Sequence, residues 1–456
     1  MTERMTGRLS IAAAAQAIRA RQTTPQALLE KCLAAIDRHE PAVHAWVAVD
    51  RTGAHRAADE AARELAAGRD RGPLHGIPLG IKDIVDVAGL PTRAGSPLTS
   101  PEPAAADATV VSRLREAGAV ILGKTMTTEF ACFDPSPTRN PWNLAHTPGG
   151  SSSGSAAAVS LGMCFAAIGS QTGGSITRPA SYCGIAGCKP TFGRTSRAGV
   201  LPVSFHLDHV GTMAGTAADC GLLLAAIAGR DEHDAASSPR PRLGAMRAIA
   251  AAVAPPRLGI IWPYFFEQCD GEVAERTRAA VHSLAAGGAT LVELPLPRGW
   301  DRVHELHRRI YFAEAADVHR RMFGAPRPGY SPTMAALLEE GFATSLADYQ
   351  EALRQQVGFR HEMAALLAAV DSLVTPATPT AAPADLTTTG DPQFNSPWSY
   401  AGVPTVSIPC ALTAAGMPLA MQVVGLPWSE EQLLSVAAWC EEVLAFDALP
   451  PMVKTA

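Results

Sequence analysis

Apolar positions along the chain follow two different rhythms, and together they predict an α/β architecture. Residues 9–70 repeat with a helical period, shown by Leu28, Leu29, Cys32, Leu33 and Ile36. Thr24 followed by Pro25 is typical of a helix cap and first turn. Short apolar runs bounded by glycine come next and predict buried strands, with helical stretches such as 108–117 between them: Ile77–Val87, Ala119–Leu122 and Met163–Ile168.

The C-terminal half continues this alternation. Residues 301–370 have a helical pattern, and 376–397, rich in Pro, Thr and Ala, predict a long surface loop of the kind that borders active sites. Further strands are predicted at Leu258–Ile261, Thr290–Leu294, Ser372–Val374, Thr405–Ile408 and Met421–Val424. Because we find neither an internal repeat nor a clear linker, we expect a single domain over 1–456, in which 1–70 form a helical N-terminal entry segment.

The composition narrows the classes of function. Of the 456 residues, 47% are apolar and 18% are charged, as in globular proteins, and the net charge of −5 comes without a basic stripe for nucleic acid. The nine cysteines form no C-x-x-C pair, which argues against a zinc ribbon or a disulfide framework. The N-terminus lacks the apolar core of a signal peptide, and no uncharged apolar run reaches the roughly 18 residues of a membrane span. We therefore expect a cytoplasmic protein without a metal or a cofactor.

Two Gly/Ser clusters between residues 148 and 179 are the most unusual feature of the sequence. Gly149–Ser155 precede a helix of small residues, and Thr172–Ser175 follow an apolar run. Glycine lets backbone N–H groups approach a ligand, and successive N–H groups in a turn bind anions, including an oxyanion formed at a carbonyl carbon. A flexible linker is the alternative, but the apolar runs on both sides of the clusters argue against solvent exposure.

A serine nucleophile needs a base, and Lys82 is the candidate for this role. It lies among apolar residues in 76–85. Burial lowers the pKa of a lysine, so that its neutral amine can accept a proton near pH 7. An ion pair with the adjacent Asp83 is the alternative, and this stretch taken alone favours that alternative.

These segments resemble the amidase signature family, whose motifs occur here in the same order along nearly the whole chain. The resemblance rests on Gly149–Ala158, Gly169–Ser175 and Cys183–Thr191, with Lys82 upstream and Tyr400–Pro404 and Pro409–Cys410 downstream. It implies the amidase signature fold, a large mixed β-sheet covered on both faces by α-helices. It also implies an amidase that hydrolyses the C–N bond of a small linear carboxamide to a carboxylate and ammonia or an amine.

The resemblance assigns roles by position. Lys82 matches the general base of the family, Ser151 its bridging serine, with a cis peptide bond to Gly150, and Ser175 its nucleophile. Lys82 would take a proton from Ser151 as Ser151 takes one from Ser175, and water would then release the acyl group from the acyl-enzyme by the same route. The oxyanion hole would consist of the backbone N–H groups of Thr172, Gly173, Gly174 and Ser175.

Arg178 is the candidate residue for substrate recognition. Residues 175–179 resemble the malonamidase branch, in which the matching arginine binds a substrate carboxylate, and a guanidinium holds a carboxylate with two parallel hydrogen bonds. An arginine that only braces the site is equally compatible with the sequence. Ser153 and Gln171 stand where many family members carry Gly and Asp, and neither difference removes a catalytic group.

An α/β-hydrolase is a competing interpretation. Residues 150–154 fit the G-x-S-x-G elbow, with Ser152 as the nucleophile. That elbow needs a strand directly before it, whereas 140–148 contain two prolines and two asparagines. We therefore give this interpretation little weight.

Histidine-based sites match less well still. His304 and His307 lack the spacing of an H-E-x-x-H zinc helix. His206, Asp208 and His209 suggest a histidine base with an orienting carboxylate, but we interpret this tight cluster as structural.

A component of a transamidation complex is the alternative from a different class. Such a chain releases ammonia from glutamine for a partner that acts on aminoacyl-tRNA. Residues 391–394, Asp-Pro-Gln-Phe, place no aspartate at the position that such chains use for glutamine. No arginine that matches the one in such chains lies near Met334–Leu338. We therefore favour a stand-alone hydrolase, as a monomer or homodimer, whose partner is a small-molecule amide and neither nucleic acid nor membrane. The aromatic candidates for lining its pocket, each equally suited to core packing, are Trp142, Phe133, Tyr182, Trp398 and Tyr400.

Overall fold

The computed structural model describes residues 10–244, 254–324 and 329–454. Residues 1–9 of the predicted entry segment and 325–328 of the predicted helical stretch therefore lie outside the described residues. The strands are β1 Trp46–Val49, β2 Pro78–Lys82, β3 Val120–Thr125, β4 Ala166–Gln171, β5 Ala186–Lys189, β6 His209–Ala214, β7 Arg257–Ile260, β8 Thr290–Glu293, β9 Ser372–Pro376, β10 Thr405–Leu412 and β11 Pro418–Val424. The helices are α1 Ile11–Arg19, α2 Pro25–Val43, α3 Arg51–Ala66, α4 Thr109–Glu116, α5 Ser153–Ser160, α6 Thr177–Tyr182, α7 Ala217–Ile227, α8 Gly271–Ala286, α9 Val303–Phe323, α10 Pro332–Ala343, α11 Leu346–Leu367, α12 Ser396–Ala401, α13 Glu430–Leu444 and α14 Pro451–Lys454.

The strands form one large mixed sheet. Their order, as far as the chain is described, is β1-β3-β2-β4-β6-β5-β10-β11-β9-β7-β8. Strand β2 pairs in parallel with both β3 and β4, while β4 pairs antiparallel with β6. The predicted fold class is confirmed. Because β2 and β4 run in parallel, their carboxyl ends lie side by side, and the residues that follow them meet at one edge of the sheet.

The N-terminal prediction agrees with the structure where the chain is described. Helix α2 begins at Pro25, and the side chain of Thr24 caps it by accepting the N–H of Ala27 at 3.1 Å. Its face with Leu29, Cys32 and Ile36 is buried in the core. Strand β1, between α2 and α3, was not predicted.

Strands β5 and β6 were also missed. Strand β5 consists of Ala, Gly, Cys and Lys and lacks the β-branched residues that signal a strand. Both strands are buried along their whole length, so neither shows the alternation of a half-exposed strand. The predicted run 77–87 is too long, because the N–H groups of Ile84 and Val85 donate to the carbonyl of Lys82 and turn the chain out of the sheet.

No helix in the described ranges is both long enough and apolar enough to cross a membrane.

Candidate active site

Lys82 ends β2, an interior strand of the sheet, and is completely buried. The neighbouring strands β3 and β4 flank β2 on both sides, and Lys82 is 0% exposed. Burial disfavours the ammonium form and lowers the pKa of Lys82 from 10.5 to about 7, while the negative charge of Asp208 acts in the opposite direction. Near neutral pH a large share of this amine is therefore uncharged.

Asp83 does not neutralise Lys82. Its carboxylate forms a buried ion pair with Lys124, with 2.9 Å between Oδ1 and Nζ. It also accepts the N–H of Arg93 at 3.2 Å, and Lys124 donates to Thr92 Oγ1 at 2.9 Å. The alternative that pairs Lys82 with Asp83 is therefore wrong, since Asp83 has a different cation.

Two serine hydroxyls contact the amine instead. Nζ of Lys82 donates to Ser151 Oγ at 2.6 Å and to Ser170 Oγ at 2.8 Å. Ser170 lies on β4, the parallel neighbour of β2, which places its side chain beside that of Lys82. The peptide bond between Gly150 and Ser151 is cis, as the family resemblance implies.

The two glycines before Ser151 allow the segment to approach other backbone closely. Gly149 has a φ of +78°, and a Cβ there would lie 3.0 Å from Pro179 Cα. A Cβ on Gly150 would lie 2.9 Å from Cγ2 of Thr389, in the loop 376–397. A larger residue at either position would clash with these neighbours.

Ser152, the nucleophile of the elbow alternative, has a structural environment. It is 0% exposed, and its hydroxyl donates to the carbonyl of Ser170 at 3.3 Å. The N–H of Ser170 donates back to Ser152 Oγ at 3.3 Å. Turns and bends rather than a strand occupy 141–150. The strand–turn–helix context of an α/β-hydrolase elbow is therefore missing at this position.

Residues 172–175 form the turn between β4 and α6. Within this turn Thr172, Gly173 and Gly174 are buried, whereas Ser175 is partly exposed. The N–H of Ser152 donates to the carbonyl of Ser175 at 3.3 Å. The turn thus lies directly against the segment that carries Ser151.

Side chains from distant helices fix the carbonyl groups of this turn. Nε2 of His307 on α9 donates to the carbonyl of Thr172 at 3.0 Å, and Oγ of Ser399 on α12 donates to the carbonyl of Gly173 at 2.7 Å. Burial lowers the pKa of His307 to about 4, so its ring is a neutral donor. In a trans peptide group the N–H and the C=O point in opposite directions. Because the carbonyls of Thr172 and Gly173 point to α9 and α12, the N–H groups of Gly173 and Gly174 point away from these helices. Such a turn is suited to binding an oxyanion.

Gln171 supports the turn from within. Its Oε1 accepts the N–H groups of Ile176 at 2.9 Å and Thr177 at 3.0 Å, and its Nε2 donates to Ser399 Oγ at 3.1 Å. An aspartate could accept the same two N–H groups but could not donate to Ser399. The departure from the family pattern at Gln171 therefore adds a tie to α12.

Arg178 lies on α6 and is buried with part of its guanidinium unused. Nη2 donates to the carbonyl of Gly150 at 2.9 Å and to Thr389 Oγ1 at 3.1 Å. Nε and Nη1 have no hydrogen-bond partner among the described residues. Burial lowers the pKa of Arg178, while the negative charge of Asp391 acts in the opposite direction. Arg178 thus both braces the Gly150 carbonyl and retains donors for a ligand.

The predicted histidine positions have other partners. His304 Nε2 lies 2.7 Å from the hydroxyl of Tyr264, and His206 pairs with Glu314. Nδ1 of His209 lies 2.6 Å from the carbonyl of Leu207. In the part of the chain that the structure describes, no group of three or more His, Cys, Asp or Glu side chains has the arrangement of a metal site.

Within the described residues, the structure gives each of the five aromatic candidates a neighbour, and only Tyr182 lies next to a predicted site residue. Trp142 and Trp398 pack in the interior against Phe446 and Phe265, and Tyr400 donates to the carbonyl of Ala352 at 3.3 Å. Tyr182 lies on α6 beside Arg178, whose positive charge lowers the Tyr182 pKa against the effect of burial. Phe133 packs against Tyr311 with ring centres 5.6 Å apart.

Sequence reasoning missed four residues that contact the predicted site. Asp208, which accepts from Thr172 Oγ1 at 2.6 Å, was interpreted as structural, and Gln171 was discounted. Ser170 and His307 were not connected with the site. Ser170 and Gln171 had a local signal, since both lie in the motif Gly169–Ser175.

Comparison with known proteins places this geometry in a family. The family described as amidase matches residues 27–434. A glutamyl-tRNA(Gln) amidotransferase subunit of Chloroflexus aggregans is 35% identical over 466 residues, which cover 94% of this chain and 95% of that protein.

Solved structures agree. The peptide amidase of Stenotrophomonas maltophilia superimposes with a TM-score of 0.83 and 31% identity, over 97% of this chain and 98% of that one. A structure described as a vestigial protein complex that reveals the origins of an s-triazine catabolic enzyme gives a TM-score of 0.87 and 29% identity, over 95% of this chain and 98% of that one.

These findings correct the expectation about partners. We expected a chain whose partner is a small-molecule amide, with no nucleic acid or membrane, and a homodimer at most. That expectation is wrong, because curated relatives that match along more than nine-tenths of the chain are subunits of an amidotransferase. The reason for the error is physical: many protein interfaces are no more apolar than the rest of a surface, so the composition of one sequence does not reveal them.

Proposed function

Because this chain belongs to the amidase family, we propose that it hydrolyses the C–N bond of a carboxamide with Ser175 as the nucleophile. One observation carries the proposal: the buried amine of Lys82 contacts Ser151 Oγ at 2.6 Å, while the nearby carboxylate of Asp83 is taken by Lys124. A lysine in this position is a base at neutral pH and not half of an ion pair.

The proton moves along one short path in this mechanism. Neutral Lys82 accepts the proton of Ser151, Ser151 accepts that of Ser175, and Ser175 Oγ bonds to the amide carbon. The N–H groups of 172–175 bind the oxyanion. The path then reverses to protonate the nitrogen, the C–N bond breaks, and ammonia or an amine leaves. A water molecule next attacks the acyl-enzyme and gives up its proton along the same path. The bond between the acyl carbon and Ser175 Oγ then breaks, the path returns the proton to Ser175 Oγ, and the carboxylate leaves.

The environment of Arg178 supports the proposal that the substrate carries a carboxylate on its acyl part. A buried guanidinium is costly unless its charge is paired, and no carboxylate of the described residues forms an ion pair with Arg178. Its Nε and Nη1 are two free charged donors, each able to donate to an oxygen of a ligand carboxylate. We therefore assign to the site a short carboxamide with a carboxylate at its other end.

Arg178→Ala tests this assignment. We expect kcat/KM for an amide with a free carboxylate, such as succinamate, to fall about 10²-fold to 10³-fold, because a buried charged hydrogen-bond pair is lost. For butyramide, which has the same length but no charge, we expect a loss below about tenfold.

Arg178→Lys is the matched control, since it keeps the charge but lacks the fixed planar set of guanidinium N–H donors. It should recover only part of the activity towards succinamate. Equal losses for succinamate and butyramide in Arg178→Ala would mean that Arg178 only braces the Gly150 carbonyl.

We further propose that the chain works as the ammonia-releasing subunit of an assembly that amidates aminoacyl-tRNA, with glutamine as the amide. This proposal is supported by the relatives whose names describe them as subunits of glutamyl-tRNA(Gln) amidotransferase.

The test is to purify the tagged chain from its native source and measure its glutaminase activity with and without co-purified chains and glutamyl-tRNA. We expect a stoichiometric complex whose release of ammonia from glutamine exceeds that of the isolated chain. A monodisperse single chain that hydrolyses succinamate fully, and that neither partners nor tRNA stimulate, would refute the assembly and leave a stand-alone amidase.

A further inference from the structure

Asp208 is a partly exposed carboxylate directly before β6, and it bonds to the turn that carries Ser175. Its Oδ1 accepts the hydroxyl of Thr172 at 2.6 Å. Its Oδ2 accepts the N–H groups of Val203 at 2.7 Å and Ser204 at 2.9 Å. All three partners are placed as donors, so the arrangement satisfies an ionised carboxylate.

The bond to Thr172 fixes one end of the turn that carries Ser175. Asp208 holds the side chain of Thr172 while His307 holds its carbonyl at 3.0 Å. With both groups fixed, Thr172 cannot rotate, and the direction of the following N–H group of Gly173 is set. Asp208 therefore acts on the oxyanion turn through Thr172 without touching a substrate.

Asp208 also acts on the proposed base. No ion pair joins Lys82 and Asp208 in the described ranges, yet Asp208 is the charge with the largest influence on Lys82. The other group that acts on Lys82 is Cys132, whose pKa is raised to about 12 by burial, so that thiol is neutral near pH 7. Asp208 is thus a fixed negative charge near an amine that it does not neutralise by contact.

The groups that face Asp208 oppose the effect of burial on its pKa. Burial raises the pKa of Asp208, and the bonds from Thr172, Val203 and Ser204 together with the positive charge of Arg197 act against this rise. Tyr311 of α9 also faces it, and burial raises the pKa of Tyr311 far above neutral. Beside it, a cavity of about 440 Å³ is lined by Ser170, Asp208, His209 and Arg197 among others. Burial lowers the pKa of His209, so that ring is neutral.

We propose that Asp208 is a positioning residue of the catalytic centre, which holds the oxyanion turn through Thr172 and supplies the negative charge that acts on Lys82. The inference rests on the proposed roles of Ser175 and Lys82. It requires in addition that the turn and the base both depend on one carboxylate. Removing the charge of that carboxylate therefore changes both the rate and its pH dependence.

Asp208→Asn is the informative substitution, because asparagine keeps the shape of the side chain. Its Oδ1 accepts from Val203 and Ser204, and its amide donates to Thr172 Oγ1, which then acts as an acceptor. Without the negative charge the ammonium form of Lys82 loses support, so its pKa falls. The acid limb of kcat/KM should therefore move to lower pH by about one unit. The plateau should fall about tenfold, since a base of lower pKa accepts a proton less readily.

Thr172→Val is the matched control, because it breaks the tether and leaves the charge. It should lower kcat about tenfold to 10²-fold with less displacement of the acid limb than Asp208→Asn causes. Thr172→Ser, which keeps the hydroxyl, should lose less activity than Thr172→Val. This pair tests the tether even if Asp208→Asn does not fold, which circular dichroism and thermal unfolding would reveal. Equal activity of Thr172→Val and Thr172→Ser would overturn the tether, and a folded Asp208→Asn enzyme with an unmoved acid limb would overturn the role of the charge.

Failure of the proposed function looks different. If wild-type protein hydrolyses no carboxamide, or if Ser175→Ala does not remove its activity, the catalytic roles themselves fall. If the wild type is active and sensitive to Ser175→Ala but Asp208→Asn leaves its pH profile unchanged, only the inference about Asp208 falls.

Discussion

Replacing Ser175 with alanine should lower kcat by about 10⁴-fold or more, because removal of a serine nucleophile leaves only binding and oxyanion stabilisation. Ser175 is partly exposed at the end of a turn whose carbonyl groups are held by His307 and Ser399, so the substitution leaves these supports in place. We therefore expect an unchanged thermal unfolding midpoint. Ammonia release from succinamate or glutamine measures the loss, and a fluorophosphonate probe followed by peptide mass spectrometry should label Ser175 in the wild type only.

Ser152→Ala is the control that separates the two candidate serines. Ser152 exchanges hydrogen bonds with the backbone of Ser170 at 3.3 Å, so its loss should cost about 1 kcal/mol of stability. Activity should fall by less than about tenfold, since no proton passes through Ser152 in the proposed path. If instead Ser152→Ala is inactive and Ser175→Ala is active, Ser152 is the nucleophile and the amidase mechanism is wrong.

The sequence predicted the parts of the fold in which local pattern and tertiary structure agree. Thr24 and Pro25 started a helix because capping is a local interaction. Strands β2, β4 and β10 were found from mainly apolar stretches, although the run Met163–Ile168 ended before Gly169–Gln171 of β4. Strands β5 and β6 could not be found in this way. They form because β10 and β4 offer them backbone partners, as in the pairing of Gly187 with Ser407, and such long-range pairing leaves no mark on a short run of small residues.

At the site, the sequence predicted residues and left their partners open. The motifs selected Lys82 and Ser151, and the structure brings them into contact. The stretch around Lys82 alone did not decide whether Asp83 or Ser151 is its partner. The answer depends on Lys124, a residue of another strand, which pairs with Asp83. The contact of His307 with Thr172 joins residues 135 positions apart, so the sequence did not predict it either. The sequence of residues 391–394 argues against a glutamine site, yet Arg178 donates to Thr389 of the same loop.

Lys82→Met should lower kcat/KM by about 10³-fold to 10⁴-fold at neutral pH, since it removes the base and keeps the length of the side chain. The substitution replaces a buried amine that pairs with no carboxylate of the described residues, so stability should change by less than about 2 kcal/mol. Lys124→Met is the matched control on the neighbouring strand. It leaves the buried carboxylate of Asp83 unpaired and should cost about 3 to 5 kcal/mol of stability. At a temperature where it remains folded, Lys124→Met should retain most of its activity. The reverse outcome, an active Lys82→Met and a folded but inactive Lys124→Met, would make Lys124 the base.

The pH profile of the wild type tests the same assignment without a substitution. The pKa of Lys82 is lowered to about 7, and only the neutral amine accepts the proton of Ser151. Below pH 7 the ammonium form dominates and kcat/KM should fall about tenfold per pH unit, whereas above pH 7 it should reach a plateau. The residual activity of Lys82→Met should lack this limb, because no group with that pKa remains in the path. A wild-type limb near pH 4 would point to a carboxylate base, and one near pH 10 to a lysine that burial does not affect; either result contradicts the buried neutral amine on which the mechanism depends.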